Sequence, residues 1–189
     1  MLLTEPVVLE NDHVRLEPLE PAHATDLEHA REGLEYAWYT SVPSSVEAEI
    51  AWRMTEADAG RMTPWAVTVG GRAVGMTTYC NIDLAHRRVE IGHTWLSPAV
   101  QRTAVNTAAK LLLLGHAFER CDAIAVELRT HWHNRQSRAA IERLGAKQDG
   151  VLRNHRVTPD GILRDTVVYS ILPHEWPTVR QGLLSRLSR

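Results

Sequence analysis

The period of apolar positions along the chain changes several times. Val14-Arg15-Leu16-Glu17 alternates apolar and polar residues and predicts a first strand. A helix is predicted over Ala22–Glu32. The stretch from Tyr36 to Pro43 is aromatic but aperiodic and predicts a loop. Ser44 and Glu47 have capping-box spacing, which predicts a second helix running to about Ala59. The period then becomes two. Trp65–Val69, Gly70-Gly71 and Ala73–Ile82 predict a hairpin, and Val89–Leu96 predicts a further strand stopped by Ser97-Pro98. Thr103–Arg120 predicts a long helix around the apolar run Leu111–Leu114, and Ala123–Thr130 predicts a buried strand. Gln136–Leu144 predicts a short helix that Gly145 stops. Val151–Val157 and Leu163–Ile171 flank the turn Pro159-Asp160-Gly161. The spacing of Trp176, Val179, Leu183 and Leu187 predicts a terminal helix.

This order combines antiparallel hairpins with two strand–helix–strand crossovers. It predicts one mixed α/β sheet with helices on both faces. A single domain over residues 1–172 is expected, with 173–189 as a helical tail on it. Composition agrees: of 189 residues, 44% are apolar and 23% charged, which excludes a disordered or collagen-like chain. The formal net charge of −2 argues against a general nucleic-acid binder. That total hides a split, because residues 1–60 carry 3 basic and 13 acidic side chains and the remainder 18 and 10. Such a split fits either partners of opposite sign or ordinary solvated helix faces. The two cysteines, Cys80 and Cys121, have neither disulfide-framework nor metal-ligand spacing. The first residues lack a basic and then apolar signal pattern, and Ala108–Phe118 is too short to span a bilayer. A soluble cytoplasmic protein without membrane or nucleic-acid partners is expected.

The stretch Val89–Thr107 is the most informative. A strand runs through a short loop of small and polar residues into a helix. Backbone amides at a helix start are unpaired and carry the positive end of the dipole, so they suit a pyrophosphate. Thr103 and Ala104 are small enough to let an anion approach, and Arg102 adds a charge.

The chain resembles the GNAT superfamily of acyl-CoA-dependent N-acetyltransferases, and within it the RimJ/RimL-like ribosomal-protein N-terminal acetyltransferases. The resemblance rests on Glu90-Ile91-Gly92, the Gln101–Asn106 loop, Leu111–Glu119, and Asn134-Arg135-Gln136-Ser137 running into Ala140–Ala146. It continues through Gly150–Arg153, Asp160-Gly161 and Arg164–Ser170. It implies a mostly antiparallel central sheet of about seven strands, acetyl-CoA as cofactor, an amine acceptor, and a monomer or homodimer. One departure stands out: the family's loop usually reads Gln/Arg-x-x-Gly-x-Gly/Ala, whereas this chain has Gln101, Ala104 and Asn106. Ala104 tolerates a positive φ less well than glycine does.

The resemblance places the cofactor against Gln101, Arg102, Thr103, Ala104, Val105 and Asn106, with Arg135 and Arg138 near its phosphates. A backbone donor for the thioester carbonyl falls near Trp95 and Leu96, where the central strand splays from its neighbour. Glu90 is the leading candidate base, since a carboxylate in an apolar strand needs work or a partner. Its alternatives are a salt bridge with Arg87 or Arg88, or an exposed edge position. His93 is the second candidate base, with a packing role as its alternative; at odd spacing from Glu90 it faces the other side unless a bulge intervenes. Many relatives place a tyrosine where this chain has Ile141, which cannot protonate a thiolate. Ser137 matches the serine that takes over in RimJ/RimL-like sequences. Asn134 suits the pantetheine arm, or equally the cap of its helix. Trp38, Tyr39, Tyr79 and His131 are candidate acceptor-side residues, with core packing as the alternative for the aromatics. His131 and His133 have no further ligands in register, so no metal is expected.

An α-amine, with a reference pKa near 7.7–8.0, loses its proton more readily than lysine, near 10.4. This favours a peptide N-terminus as acceptor. A small-molecule amine is the alternative, and a non-catalytic acyl-CoA sensor is a third reading, motivated by the drifted loop and the missing tyrosine.

Overall fold

The computed structural model describes residues 1–35, 38–39, 43–158 and 160–188. The sheet begins with a two-residue strand, β1 (Leu9–Glu10), paired to β2 (Arg15–Pro18), and β2 lies against β3 (Met62–Val69). β3 and β4 (Arg72–Asp83) form the predicted hairpin across Gly70-Gly71, whose φ values of 58° and 78° are those a two-residue primed turn requires. β5 (Arg88–Leu96), β6 (Ala125–His131), β7 (Lys147–Val157) and β8 (Leu163–Ile171) complete eight strands in the order β1-β2-β3-β4-β5-β6-β8-β7. All neighbours are antiparallel except β5 and β6. The expected count of about seven misses only β1, which is too short to leave a pattern.

Helices cover both faces. On one face α1 (Ala24–Ala30, after a 3-10 turn at Pro21–His23) and α2 (Val46–Asp58) pack over Ala66, Ala73, Met76 and Trp95. Ser45, rather than Ser44, caps α2, its hydroxyl accepting the Ala48 N–H at 3.1 Å. On the other face α3 (Ala104–Gly115), α4 (Arg135–Leu144) and α5 (Trp176–Leu187) enclose the larger core, which includes Leu16, Trp65, Tyr79, Ile91, Leu113, Val126 and Val167. Trp176, Val179 and Leu183 bury the inner side of α5 in that core. The long helix expected over Thr103–Arg120 ends earlier. A π turn follows at His116–Arg120, where the Cys121 N–H reaches back to His116 O. The loop expected over Tyr36–Pro43 lies partly outside the described residues, at Tyr36, Ala37, Thr40, Ser41 and Val42. Pro159 of the second turn lies outside them too.

The feature that positions a site is the parallel pair. β5 and β6 are in register only over Arg88↔Ala125, Val89↔Val126 and Glu90↔Glu127. Beyond Glu90 both strands continue, β5 to Leu96 on β4 and β6 to His131 on β8, so a wedge opens between them. The start of α3 follows the end of β5, and the start of α4 follows the end of β6. No helix among the described residues is long and apolar enough to cross a membrane.

Candidate active site

The alternation of β5 sets the two sides of the wedge. Val89 and Ile91 point into the core under α3, so Glu90 and Gly92 point to the α2 side. The β4–β5 register then slips between Met76↔Trp95 and Thr78↔Gly92, which puts a bulge at His93, whose φ is +46°. The extra residue keeps His93 on the side of Glu90. Its ring lies edge-on to Trp52 of α2 at 5.2 Å.

The bulge is fixed from both faces. Arg53 of α2, 1% exposed, donates to His93 O at 2.7 Å, to the Thr78 hydroxyl, and to Glu49 Oε1 at 2.5 and 3.1 Å. Glu49 also accepts the Trp95 indole N–H at 3.2 Å. From the α3 side the buried Lys110 ammonium donates to Thr94 Oγ1 at 3.1 Å. Thr94 Oγ1 lies 2.8 Å from Thr77 Oγ1, and its own hydrogen reaches Gly92 O at 3.3 Å. A hydroxyl that accepts two bonds and donates one is fully used. Burial pushes the Lys110 ammonium down to about 8.

Glu90 is 9% exposed. Its carboxylate accepts Asn81 Nδ2 at 2.7 Å and lies 3.4 Å from Arg129 Nε. The expected partners are engaged elsewhere, Arg87 with Asp122 and Arg88 with Glu127. The reason is register: β6 sets Glu127 and Arg129 beside Glu90, which leaves Arg88 to Glu127. Burial raises the Glu90 pKa, and Asn81 and Arg129 only partly oppose it. A Cβ on Gly92 would stand 2.8 Å from Cys80 Sγ and 3.0 Å from Glu90 Oε1, so glycine there leaves the carboxylate its space. The His93 imidazole keeps an exposed edge. Even so, loss of solvent around it and the Arg53 and Arg156 charges push its pKa down to about 4.

At the end of β5, the Gln101 side chain donates to Leu96 O at 2.9 Å and ties the loop to the strand. Thr103 caps α3, its hydroxyl donating to Val100 O at 2.7 Å and accepting the Val105 N–H at 3.3 Å. Val105 is buried in the core, while Gln101, Arg102 and Thr103 are exposed. The positive φ of this loop falls on Arg102, at 62°, and Ala104 already lies in the helix. The replacement of glycine by Ala104 therefore costs no backbone strain. The first-turn amides of a twelve-residue helix, an exposed arginine and a wedge leading away from them suit a phosphate-bearing cofactor with a long arm.

Across the wedge, Asn134 caps α4, its Oδ1 accepting the Ser137 N–H at 3.0 Å. The Ser137 hydroxyl has no hydrogen-bond partner among the described residues and is half-buried. Arg138 stacks on Trp132 at 4.4 Å and donates to the Tyr169 hydroxyl at 3.0 Å, so its guanidinium is already engaged. Trp38 stands 4.9 Å, ring to ring, from His131 at the end of β6, with Tyr39 beside it in the chain and half-exposed. Tyr79 does not join them. It is fully buried under α3, with its hydroxyl donating to Leu113 O and its ring edge-on to Trp65 at 4.9 Å. Its strand neighbours Thr78 and Cys80 face the site instead, so Tyr79 cannot line an acceptor pocket.

The structure thus brings Glu90, His93, Trp95, Leu96 and the Gln101–Asn106 loop to one side of the wedge and His131, Asn134 and Ser137 to the other. Arg53, Glu49, Asn81 and Arg129 belong to this site and were missed from sequence. Only the i, i+4 spacing of Glu49 and Arg53 hinted at a pair. An open depression of ≈ 410 Å³ on the sheet face borders Glu127, Asp149, Leu152 and Ser170 and meets the site at Arg129.

The model of the acetyltransferase (GNAT) domain matches residues 13–147. The Bacillus subtilis (strain 168) protein YdaF, provisionally named a ribosomal N-acetyltransferase, is 28% identical over 176 residues, covering 88% of this chain and 94% of its own. A GCN5-related N-acetyltransferase from Brucella melitensis superposes with a TM-score of 0.86 at 28% identity, over 96% of this chain and 85% of its own. RimJ from Mycobacterium smegmatis, solved with CoA-disulfide, shares the fold at a TM-score of 0.81 and 22% identity, over 98% and 97% of the two chains.

Proposed function

Since the chain belongs to the GNAT acetyltransferases, with RimJ and RimL among its structural neighbours, we propose that it moves an acetyl group from acetyl-CoA to a primary amine by direct attack in a ternary complex. The amine we assign is the α-amino group of a peptide or protein. The observation that carries this reading is the wedge. Its one wall holds a bulge clamped by Arg53 and Thr94, and its other wall holds an unbonded Ser137 hydroxyl.

Acetyl-CoA, when bound, supplies the activated carbonyl carbon. The α3 start with Arg102 would hold its phosphates, and Asn134 and the edges of the wedge its arm. Within the chain, Glu90 takes the proton that the amine must lose. Its raised pKa brings it closer to neutral pH, where a general base is most effective. His93, held near 4, is the weaker candidate. The clamped bulge would present backbone amides of β5 to the carbonyl oxygen, where preformed dipoles contribute most. The Ser137 hydroxyl is the donor available at the α4 start for the departing sulfur. The partly exposed Trp38 and Tyr39 rings, with Trp38 against His131, offer an aromatic surface of the kind a peptide can lie on.

The test pairs two measurements. Acetyl-CoA should raise the melting temperature, and thiol release should accompany acetylation across a mass-spectrometric panel of N-terminal peptides and small amines. Peptides should outrun the small amines, with α-amines modified in preference to lysine side chains. Tight acetyl-CoA binding with no turnover over the panel would favour a sensor, and no thermal shift would remove the cofactor assignment.

A further inference from the structure

The β7–β8 hairpin places two arginines where a sheet ordinarily avoids them. Arg156 and Arg164 are direct cross-strand partners, so their side chains leave the same face within about 5.5 Å of each other at Cβ. Like charges in that position repel unless an anion lies between them. Among the described residues neither guanidinium forms an ion pair. Among the described residues Arg164 donates to Trp38 O at 3.3 Å, and its buried Nε has no hydrogen-bond partner there. Buried donors left unbonded are costly and call for an explanation.

The face they leave is that of the acceptor mouth. Val167, Tyr169 and Ile171 of β8 point into the core, so Arg164 and Thr166 point the other way, on the face that Arg129 shares. His155, from the same hairpin, bonds the Thr166 hydroxyl at 3.1 Å. The charges are felt across the site: Arg156 acts on Glu90 and His93, and Arg164 on His131. Glu90 is the carboxylate that acts on Arg164, and it is already bonded to Asn81 and paired with Arg129.

We propose that Arg156 and Arg164 form a carboxylate-binding subsite at the acceptor mouth, so that the preferred acceptor carries an anionic carboxylate close to its amine. The inference rests on the amine-acetylation reading and gives it a substrate class. Glu90 faces the amine, while the arginine pair receives the carboxylate in the forked geometry that guanidinium groups favour. Two sources share this chemistry: an acidic side chain near a peptide N-terminus, and the α-carboxylate of a free amino acid.

The experiment has a kinetic and a binding arm. Peptides matched except for Asp/Glu against Asn/Gln at their second to fourth residues are compared with free amino acids and their amides, at saturating acetyl-CoA. The acidic member of the preferred series should show at least a tenfold higher kcat/KM, carried by KM. R156Q and R164Q should each reduce that preference, and the double variant should bring it within about twofold while still turning over the amide. Separately, calorimetry with N-acetylated acidic and amide peptides and with N-acetyl amino acids measures binding without reaction. Turnover with no acid preference, or a preference that survives both substitutions, overturns the subsite and leaves the amine reading intact. Absence of turnover alongside tighter binding of the acidic ligands that R164Q abolishes would overturn the amine reading and retain the subsite. Equal binding of acidic and amide ligands overturns the subsite in either case. Circular dichroism melts of both variants serve as the folding control, since relieving a like-charge pair should not lower stability.

Discussion

Replacing Arg53 by methionine tests the clamp on the bulge. The guanidinium is 1% exposed and the Glu49 side chain 8%. Its removal leaves the Glu49 carboxylate buried with the Trp95 indole as its remaining hydrogen-bond partner, and strips the Thr78 hydroxyl and His93 O of their donor. Breaking a buried pair from one side costs about 3–5 kcal/mol, mostly because an uncompensated charge stays behind. For a chain of this length about 2–4 °C is lost per kcal/mol, so the melting temperature of R53M should fall by roughly 6–20 °C. E49Q in the same background removes the stranded charge and should recover more than half of that loss. Thermal melts of native, R53M, E49Q and the double variant close the cycle, and the coupling should exceed about 1 kcal/mol. Activity adds an independent reading. In the recovered double variant the bulge carbonyl still lacks its donor, so kcat should stay depressed while acetyl-CoA affinity is kept. R53K, which can satisfy only part of the acceptor set, should lie between. An R53M protein that melts within 2 °C of native would refute the buried-pair reasoning. A double variant with native kcat would refute the positioning role.

Three further outcomes are expected. E90Q should lower kcat/KM by about a hundredfold and abolish the acid limb of the pH profile, which in the native protein should lie above the ordinary glutamate range. Stability should move the other way: the folded-state pKa of Glu90 is raised, so its contribution is complete below the unfolded pKa and is lost as pH rises through the folded one. The melting temperature of E90Q relative to native should therefore increase from pH 4 to pH 8, and a decrease would contradict the burial of a costly charge. S137A should lower kcat at least about tenfold with acetyl-CoA affinity within about twofold; unchanged turnover would remove the proton-donor role. Y79F should cost about 0.5–1.5 kcal/mol by removing the hydroxyl's bond to Leu113 O, with acceptor KM unchanged, and a raised KM would return Tyr79 to the acceptor side.

Much of the fold was legible because its signals are local. Gly70-Gly71 fixes a hairpin, Gly145 ends α4 at φ 101°, and the Trp176–Leu183 spacing marks the buried side of α5. The site was less legible because its geometry depends on phase. β4 is buried on both faces from Gly75 to Cys80, so its apolar pattern does not say which face Tyr79 takes. The bulge at His93 reverses the parity of β5 after Gly92, and nothing in the local residue types announces it. The partners of Glu90 come from β4 and β6, and the Arg156↔Arg164 pair appears only after a register shift on β7. The charge split along the chain was also a poor map. Several acidic residues of the first sixty are paired internally, Glu17 with Arg15 and Glu49 with Arg53, while arginines of the basic part face the acceptor mouth.

That redistribution bears on the chemistry. A reactive amine must arrive unprotonated or lose its proton on the enzyme, and the group receiving the proton works best when its pKa approaches the working pH. An unpaired buried carboxylate would meet that condition at a large cost in stability, whereas one fully paired with arginine would be too acidic. Glu90 lies between the two limits: burial raises its pKa, and Asn81 and a 3.4 Å contact with Arg129 restrain it. The same surroundings take His93 out of competition, because Arg53 and Arg156 add to its loss of solvent and hold it near 4. Burial thus works in opposite directions on the two groups, lowering the imidazole pKa and raising that of the carboxyl, while the nearby cations add to the first effect and restrain the second. Under the amine-acetylation reading Glu90 is thereby the group placed to take the proton, and the basic β7–β8 hairpin adds its charge on the same face.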